Sequence, residues 1–216
     1  MNDRELELAQ LLCTRLCHDL AGPVGAVAAG VELIGGDPAQ ADAETLSLIG
    51  NSSAAASLKL KFMRVALGAS GSATGDPRAL LDGYLDAVAG PGGKTAVTWP
   101  SADMLAAGVA KLGPLWVQLL LNLFLLALEV QPSCKSLSLH LDASNGLTVT
   151  IEARTTADRT MALREEILAA VDGRSGISLS ARTVHSHLVG RLVRAAGGQI
   201  GISANGPVAS VKVRLS

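Results

Sequence analysis

Arg15, His18 and Asp19 fall within about one turn of the stretch LLCTRLCHDLAGPVGAVAAG (residues 11–30), and Pro23 follows five residues after the histidine. An imidazole with a pKa of about 6.5 is mostly uncharged at neutral pH, and its free nitrogen is a nucleophile that can accept a phosphoryl group. Such a transfer needs in-line geometry and positive charge to offset the phosphoryl oxygens. Arg15 precedes His18 by three residues, so on a helix the two side chains share a face. Its planar guanidinium suits a bidentate clamp on those oxygens. Asp19 is placed to hold the other ring nitrogen or accept its proton. Pro23 removes one helical hydrogen bond and is expected to kink the helix close to the histidine. His18, Arg15 and Asp19 are the candidate catalytic residues.

These residues need a helix to carry them. Leu6, Leu8, Leu12, Leu16, Leu20, Val24, Val27, Val31 and Ile34 recur mostly at three- and four-residue steps, which predicts a long amphipathic helix from Asp3 to Ile34. GGDPAQ (35–40) ends that helix and opens a second one over 39–67. The short connection makes the pair an antiparallel hairpin. GASGSATGDP (68–77) reads as a linker. Two domains are therefore expected, a helical hairpin over 1–68 and a second unit over 76–216. A hairpin alone cannot bury its apolar stripe. Pairing with a second copy makes a four-helix bundle, so a homodimer through 1–68 is expected.

Beyond the linker, helices and short strands alternate. Helices are predicted at about 77–89, 110–130, 160–171 and 179–195. Strands are predicted at KTAVTW, SLSLHL, LTVTIEA, QIGIS and ASVKVRL, with a hairpin turn at Ser144-Asn145-Gly146. Helices and a mixed or antiparallel sheet in one unit make an α+β sandwich.

Composition narrows the classes of function. The chain has 216 residues, 49% of them hydrophobic, and a formal net charge of −1, so no global field draws it to nucleic acid or an anionic membrane. Two Trp, one Tyr and two Phe are too few for a base-stacking platform. Mean hydropathy is +0.37, which suits apolar surface buried against a partner. The most apolar window, 115–130, contains Gln118, Asn122 and Glu129 and falls short of the roughly 20 residues a spanning helix needs. No signal-peptide pattern opens the chain, and a cytoplasmic protein is expected. Cys13, Cys17 and Cys134 form no disulfide or metal framework and read as small packed hydrophobes. His140, His185 and His187 read as structural, since a two-residue step places the last two on different sides of a helix. Asn122 reads as a buried hydrogen-bonding group. Ala21, Gly22, Gly25, Ala26, Ala29 and Gly30 leave room for close approach, by a partner helix or within the bundle.

His18-Asp19-x-x-x-Pro23 resembles the H-box of the dimerisation and phosphotransfer domain of two-component histidine kinases. QLLLNLFLLALE (118–129) looks like the kinase N-box helix, and LVRAAGGQIGIS looks like its closing helix, Gly-Gly turn and strand. The departures are as informative. An active N-box carries a second Asn four residues after the first, where this chain has Leu126, and leucine cannot ligate a hard cation. EARTTADR stands where an Asp-x-Gly-x-Gly should read adenine, and GISLS (176–180) is at most a remnant of the glycine-rich lid. Without those glycines no backbone cradle approaches a triphosphate. No ATP binding and no kinase activity are expected.

An H-box hairpin beside a degenerate ATPase-like domain is similar to the ChpT-type histidine phosphotransferases of alphaproteobacteria. The resemblance implies a phosphorelay in cell-cycle regulation. His18 would take phosphoryl from the receiver domain of a hybrid kinase of CckA type and pass it to response regulators of CtrA and CpdR type. It implies no cofactor bound by this chain, the Mg²⁺ belonging to the receiver aspartate. A sensor-type kinase and a scaffold that binds regulators without chemistry are the rival readings.

Overall fold

The structure is a computed structural model and describes residues 3–35, 41–68, 75–89, 93–156, 163–174 and 178–216. Helix α1 spans Asp3–Ile34, the bounds its apolar period predicts, and runs on through Pro23. Proline has no N–H, so the carbonyl of Asp19 loses its helical donor. Lys59 Nζ of α2 (Ala43–Leu67) donates to that oxygen instead, at 3.2 Å. Pro23 thus frees a carbonyl beside His18 by which α2 grips α1. Nearer the turn, a Cβ on Gly30 would lie 2.5 Å from Ile49 Cγ1, so there the small residue serves packing within the hairpin. Gly22 and Gly25 have open space around them. Helix α2 starts where Asp42 caps it, its carboxylate accepting from the Thr45 N–H at 2.7 Å. The expected earlier start at residue 39 lies partly outside the described residues.

The remainder comprises α3 (Pro77–Ala87), β1 (Ala96–Thr98), α4 (Ala102–Leu112), α5 (Leu115–Val130), β2 (Ser136–Asp142), β3 (Leu147–Arg154), α6 (Glu165–Asp172), α7 (Val184–Ala195), β4 (Gly198–Asn205) and β5 (Val208–Leu215). The five strands lie in the order β1-β2-β3-β5-β4; β1 and β2 are parallel and every other pair is antiparallel. Alternate residues turn inward: Leu137 and Leu139, then Val149, Ile151 and Ala153, then Val211 and Val213. Helix α5 packs on that face, giving the helix-and-sheet sandwich that the alternation predicts.

The largest difference from expectation lies in the apolar helix. The single apolar helix expected over 110–130 is two helices, α4 and α5, meeting at 114°. Gly113 adopts a φ of +53°, which favours glycine, and Pro114 cannot continue the preceding hydrogen-bond ladder. Among the described residues no single helix is long and apolar enough to cross a membrane. The helix expected from 179 begins only at Val184, as α7, because the preceding turn is tied locally, the Ser180 N–H donating to Thr183 Oγ1 at 3.1 Å. Residues 157–162 and 175–177 lie outside the described residues, and with them the expected start at 160 and part of GISLS; Leu163 and Arg164 are not helical, and α6 begins at Glu165.

The hairpin and the sandwich share one buried cluster. Phe62, Met63, Val65 and Ala66 at the end of α2 pack with Leu81 and Leu85 of α3 and with the apolar face of α5. Phe62 and Tyr84 stack with ring centroids 4.4 Å apart. Each fully buried side chain of this size contributes about 1.5–3 kcal/mol. The His18 helix is thereby held against the sandwich.

Candidate functional site

His18 projects from α1 into solvent with 87% of its side chain exposed. Its Nδ1 faces Asp19 Oδ1 at 3.6 Å, and the other carboxylate oxygen, Oδ2, faces Arg15 Nε at 3.8 Å. The three predicted residues are therefore brought together. The guanidinium, however, does not reach only towards His18: its Nη2 is ion-paired with Glu129 Oε1 on α5. Arg15 is gripped between two carboxylates, one on its own helix and one on the sandwich.

Glu129 anchors a buried polar chain. Its Oε1 also meets His185 Nδ1 at 3.0 Å, and its Oε2 accepts from Ser186 Oγ at 3.0 Å, both on α7. His185 Nε2 faces Asn122 Oδ1 at 3.0 Å. Asn122 Nδ2 donates to Ala66 O at 2.7 Å and Gln118 O at 2.8 Å, which fixes which end of the amide meets the ring. Both nitrogens of His185 thus face oxygen atoms, one on Glu129 and one on Asn122. Gln118 Nε2 donates to Gly68 O at 2.7 Å and to Ala66 O at 3.3 Å. Gln118 and Asn122 therefore satisfy the last carbonyls of α2, which have no helical donor.

Burial alone would raise the Glu129 carboxyl, but the charge and hydrogen bond of His185, then Arg15 and Ser186, hold it below the usual glutamate range. A carboxyl depressed in the folded state adds stability above its unfolded value of about 4.3, and that stability is lost as pH falls through the folded value. The melting temperature is expected to hold down to about pH 5 and to drop below about pH 4.3, more steeply in the wild type than in Glu129→Gln. Thermal melts followed by circular dichroism from neutral to acid pH check this.

A groove of about 570 Å³ opens between α1 and the sandwich, with Arg15, His18 and Asp19 on one wall and Tyr84, Arg164 and Arg182 opposite. Arg164 is tethered through Nη2 to Glu129 O at 2.8 Å and through Nη1 to Glu166 at 3.5 Å. The Arg182 guanidinium has no acidic or acceptor partner among the described residues, and its side chain is exposed. Tyr84 is pushed up to about 12 by burial and then by the negative charge of Asp19, so its hydroxyl keeps its proton.

Sequence reasoning missed Glu129, Arg164 and Arg182 as site residues. A signal for the first was present: Gln118, Asn122 and Glu129 stand at i, i+4 and i+11, one narrow polar stripe on an otherwise apolar helix. The other two arginines come from loop and helix-start positions that carry no local motif. His185 is structural as expected, but fully buried. His187 is half-buried, with Nδ1 facing Ala170 O at 3.2 Å, and burial then pushes its pKa down. His140 is exposed. Asn122 makes the buried hydrogen bonds expected of it, and Leu126 beside it is fully buried. Cys13 and Cys17 are exposed on α1, not packed within the chain, because their face of the helix points away from α2 and the sandwich.

A family model for the histidine phosphotransferase C-terminal domain matches residues 74–208, and the chain belongs to that family. The chain is 37% identical over 145 residues to the protein phosphotransferase ChpT of Brucella abortus (strain 2308), a match covering 65% of this chain and 63% of that one. It thus spans less than two thirds of the length of this curated relative. A bacterial phosphotransferase solved at 1.7 Å superposes with a TM-score of 0.73 over 99% of this chain and 98% of its own, at 24% identity, and shares the fold. The histidine kinase AdeS of Acinetobacter baumannii aligns more loosely, with a TM-score of 0.44 and 14% identity over 92% of this chain and 97% of its own.

Proposed function

We propose that this chain is a histidine phosphotransferase of a two-component phosphorelay, with His18 as the phosphoryl acceptor. The observation that carries the reading is a solvent-exposed imidazole whose Nδ1 is turned to a carboxylate, which leaves Nε2 outward as the nucleophile. The Nε2 lone pair attacks the phosphorus of a receiver acyl phosphate. The bond to the aspartate oxygen breaks, and the receiver carboxylate leaves with the electron pair. The phosphorylated ring is cationic, its Nδ1–H facing Asp19, which stabilises the charge or accepts the proton. Arg15 and Arg182 supply positive charge along the groove, and Mg²⁺ belongs to the receiver.

The donor is proposed to be the receiver of a hybrid kinase of CckA type, and the acceptors are proposed to be regulators of CtrA and CpdR type. Nucleotide-dependent kinase chemistry is not part of this reading. Its basis is that Asn122 spends its amide on α2 and His185, while Leu126 offers no oxygen.

We further propose that the working unit is a homodimer through the hairpin of residues 1–68, with the sandwich of 76–216 as a second domain. Val24, Val31 and Leu33 on α1, and Leu46, Leu48 and Leu60 on α2, are large apolar side chains exposed on the chain. Sedimentation equilibrium is expected to give twice the chain mass, and Val31→Glu with Leu46→Glu is expected to give the monomer; a monomeric wild type would refute the bundle.

Incubating the chain with a radiolabelled phosphorylated receiver, without ATP, tests the function. Label is expected to move onto the chain and to leave it when a second, unphosphorylated receiver is added. Labelling from ATP alone would mark a kinase, and receiver binding without label would mark a scaffold.

A further inference from the structure

The groups leading to His18 form a chain of facing polar side chains. From α7 inward they run His185, Glu129, Arg15, Asp19 and then His18, each facing the next. Within it Glu129 is ion-paired with Arg15, and Arg15 faces the Asp19 carboxylate. The chain is also graded in burial: His185 is fully buried, the Glu129 side chain is 13% exposed, Arg15 21% and Asp19 29%. Rigidity at one end is therefore handed to a nucleophile that is itself free to meet a partner.

A guanidinium on α1 alone would sample several rotamers, since arginine has one of the largest side-chain entropies. Glu129 removes that freedom. Its own position is set from three sides, by His185, Ser186 and Arg15, and its carboxylate comes from the sandwich, not from the hairpin. The same His185 is held by Asn122, which also caps α2. The arrangement of the sandwich on the hairpin is thus written into the orientation of Arg15.

We propose that Glu129 is a positioning residue for His18, acting through Arg15 and Asp19, so that the sandwich sets the reactivity of a histidine it does not carry. The proposal rests on the reading of His18 as the phosphoryl acceptor. Glu129 does not touch the transferred group. It holds the guanidinium in a single place, from which Arg15 in turn holds Asp19 against Nδ1.

A double-mutant cycle on the full chain tests it, with the rate of label uptake from a phosphorylated hybrid-kinase receiver domain as the readout and melting temperature followed in parallel. Glu129→Gln is expected to slow uptake about tenfold in the wild-type background and to have almost no effect in Arg15→Gln, because residues that act as one unit are non-additive. A purely structural role would multiply through, slowing uptake by the same factor in both backgrounds, and that result would overturn the proposal. So would an unchanged rate in Glu129→Gln. Should Glu129→Gln not fold, the cycle is run with Glu129→Asp, whose missing methylene draws the carboxylate back from Arg15 while keeping its charge. The same non-additivity is expected there, and equal slowing in both backgrounds again refutes the idea. A wild type that takes no label overturns the acceptor reading itself, an outcome distinct from labelled protein with additive effects.

Discussion

His18→Ala is expected to abolish phosphoryl uptake, a fall of more than about a thousandfold, while leaving the melting temperature almost unchanged. The two halves of that result come from different properties of one side chain. Among the described residues lining the groove no group replaces the imidazole: the other polar groups are arginines, the Asp19 and Glu129 carboxylates, the Thr14 hydroxyl that donates to Gln10 O, and a phenol that keeps its proton. The side chain is 87% exposed and packs against no core residue, so its removal lies within about 0.5 kcal/mol for stability. His18→Gln, which keeps an amide of similar reach, should be equally inactive. Label uptake from a phosphorylated receiver, measured beside a thermal melt, checks both. Retained uptake in either variant would move the chemistry to another residue.

Asn122→Ala should show the opposite profile, with a large loss of stability. Asn122 is fully buried, and its amide spans α2, α5 and α7. Truncation removes the amide donor from Ala66 O at the end of α2. It also leaves Nε2 of the buried His185 without its partner, and an orphaned buried polar group costs about 1–3 kcal/mol. Adding the cavity left by the side chain, the total is about 3 kcal/mol, or roughly 10 °C in melting temperature for a chain of this size. Circular dichroism melts with and without Mg²⁺ and nucleotide check this. The drop is expected to be the same in both conditions. A side chain kept for holding a metal–nucleotide complex would instead show little loss in their absence.

The site was half legible before the fold was known. His18, Arg15, Asp19 and Pro23 sit within nine consecutive positions, so helical geometry alone puts them side by side. Helix α1 was legible to its ends because its apolar period is uninterrupted and paired glycines follow it. The turn between α4 and α5 was not, because apolar residues run straight through it and hydropathy does not register a φ of +53° at Gly113. At Pro23 the sequence shows the missing N–H, but only the fold shows that the Asp19 carbonyl it leaves free is taken by Lys59. The Glu129–His185 pair lies 56 residues apart in the chain, and only the packing of α7 on α5 brings the two together. Long-range polar pairs of this kind carry no local pattern beyond the stripe on one helix.

These residues together describe a division of labour. In the proposed function the hairpin carries the nucleophile, and the helix-and-sheet sandwich spends its polar groups on fixing helices. In the proposed relay the chain neither needs nor holds a nucleotide, and the phosphoryl group resides on one imidazole between two receivers.

Tandem mass spectrometry of the intact chain after incubation with a phosphorylated receiver, in the absence of ATP and under conditions that preserve phosphohistidine, tests this most directly. A single phosphoryl group is expected on the peptide containing His18, at the histidine itself. A phosphoryl group on His140, His185 or His187, or modification of His18 only when ATP is supplied, would contradict it.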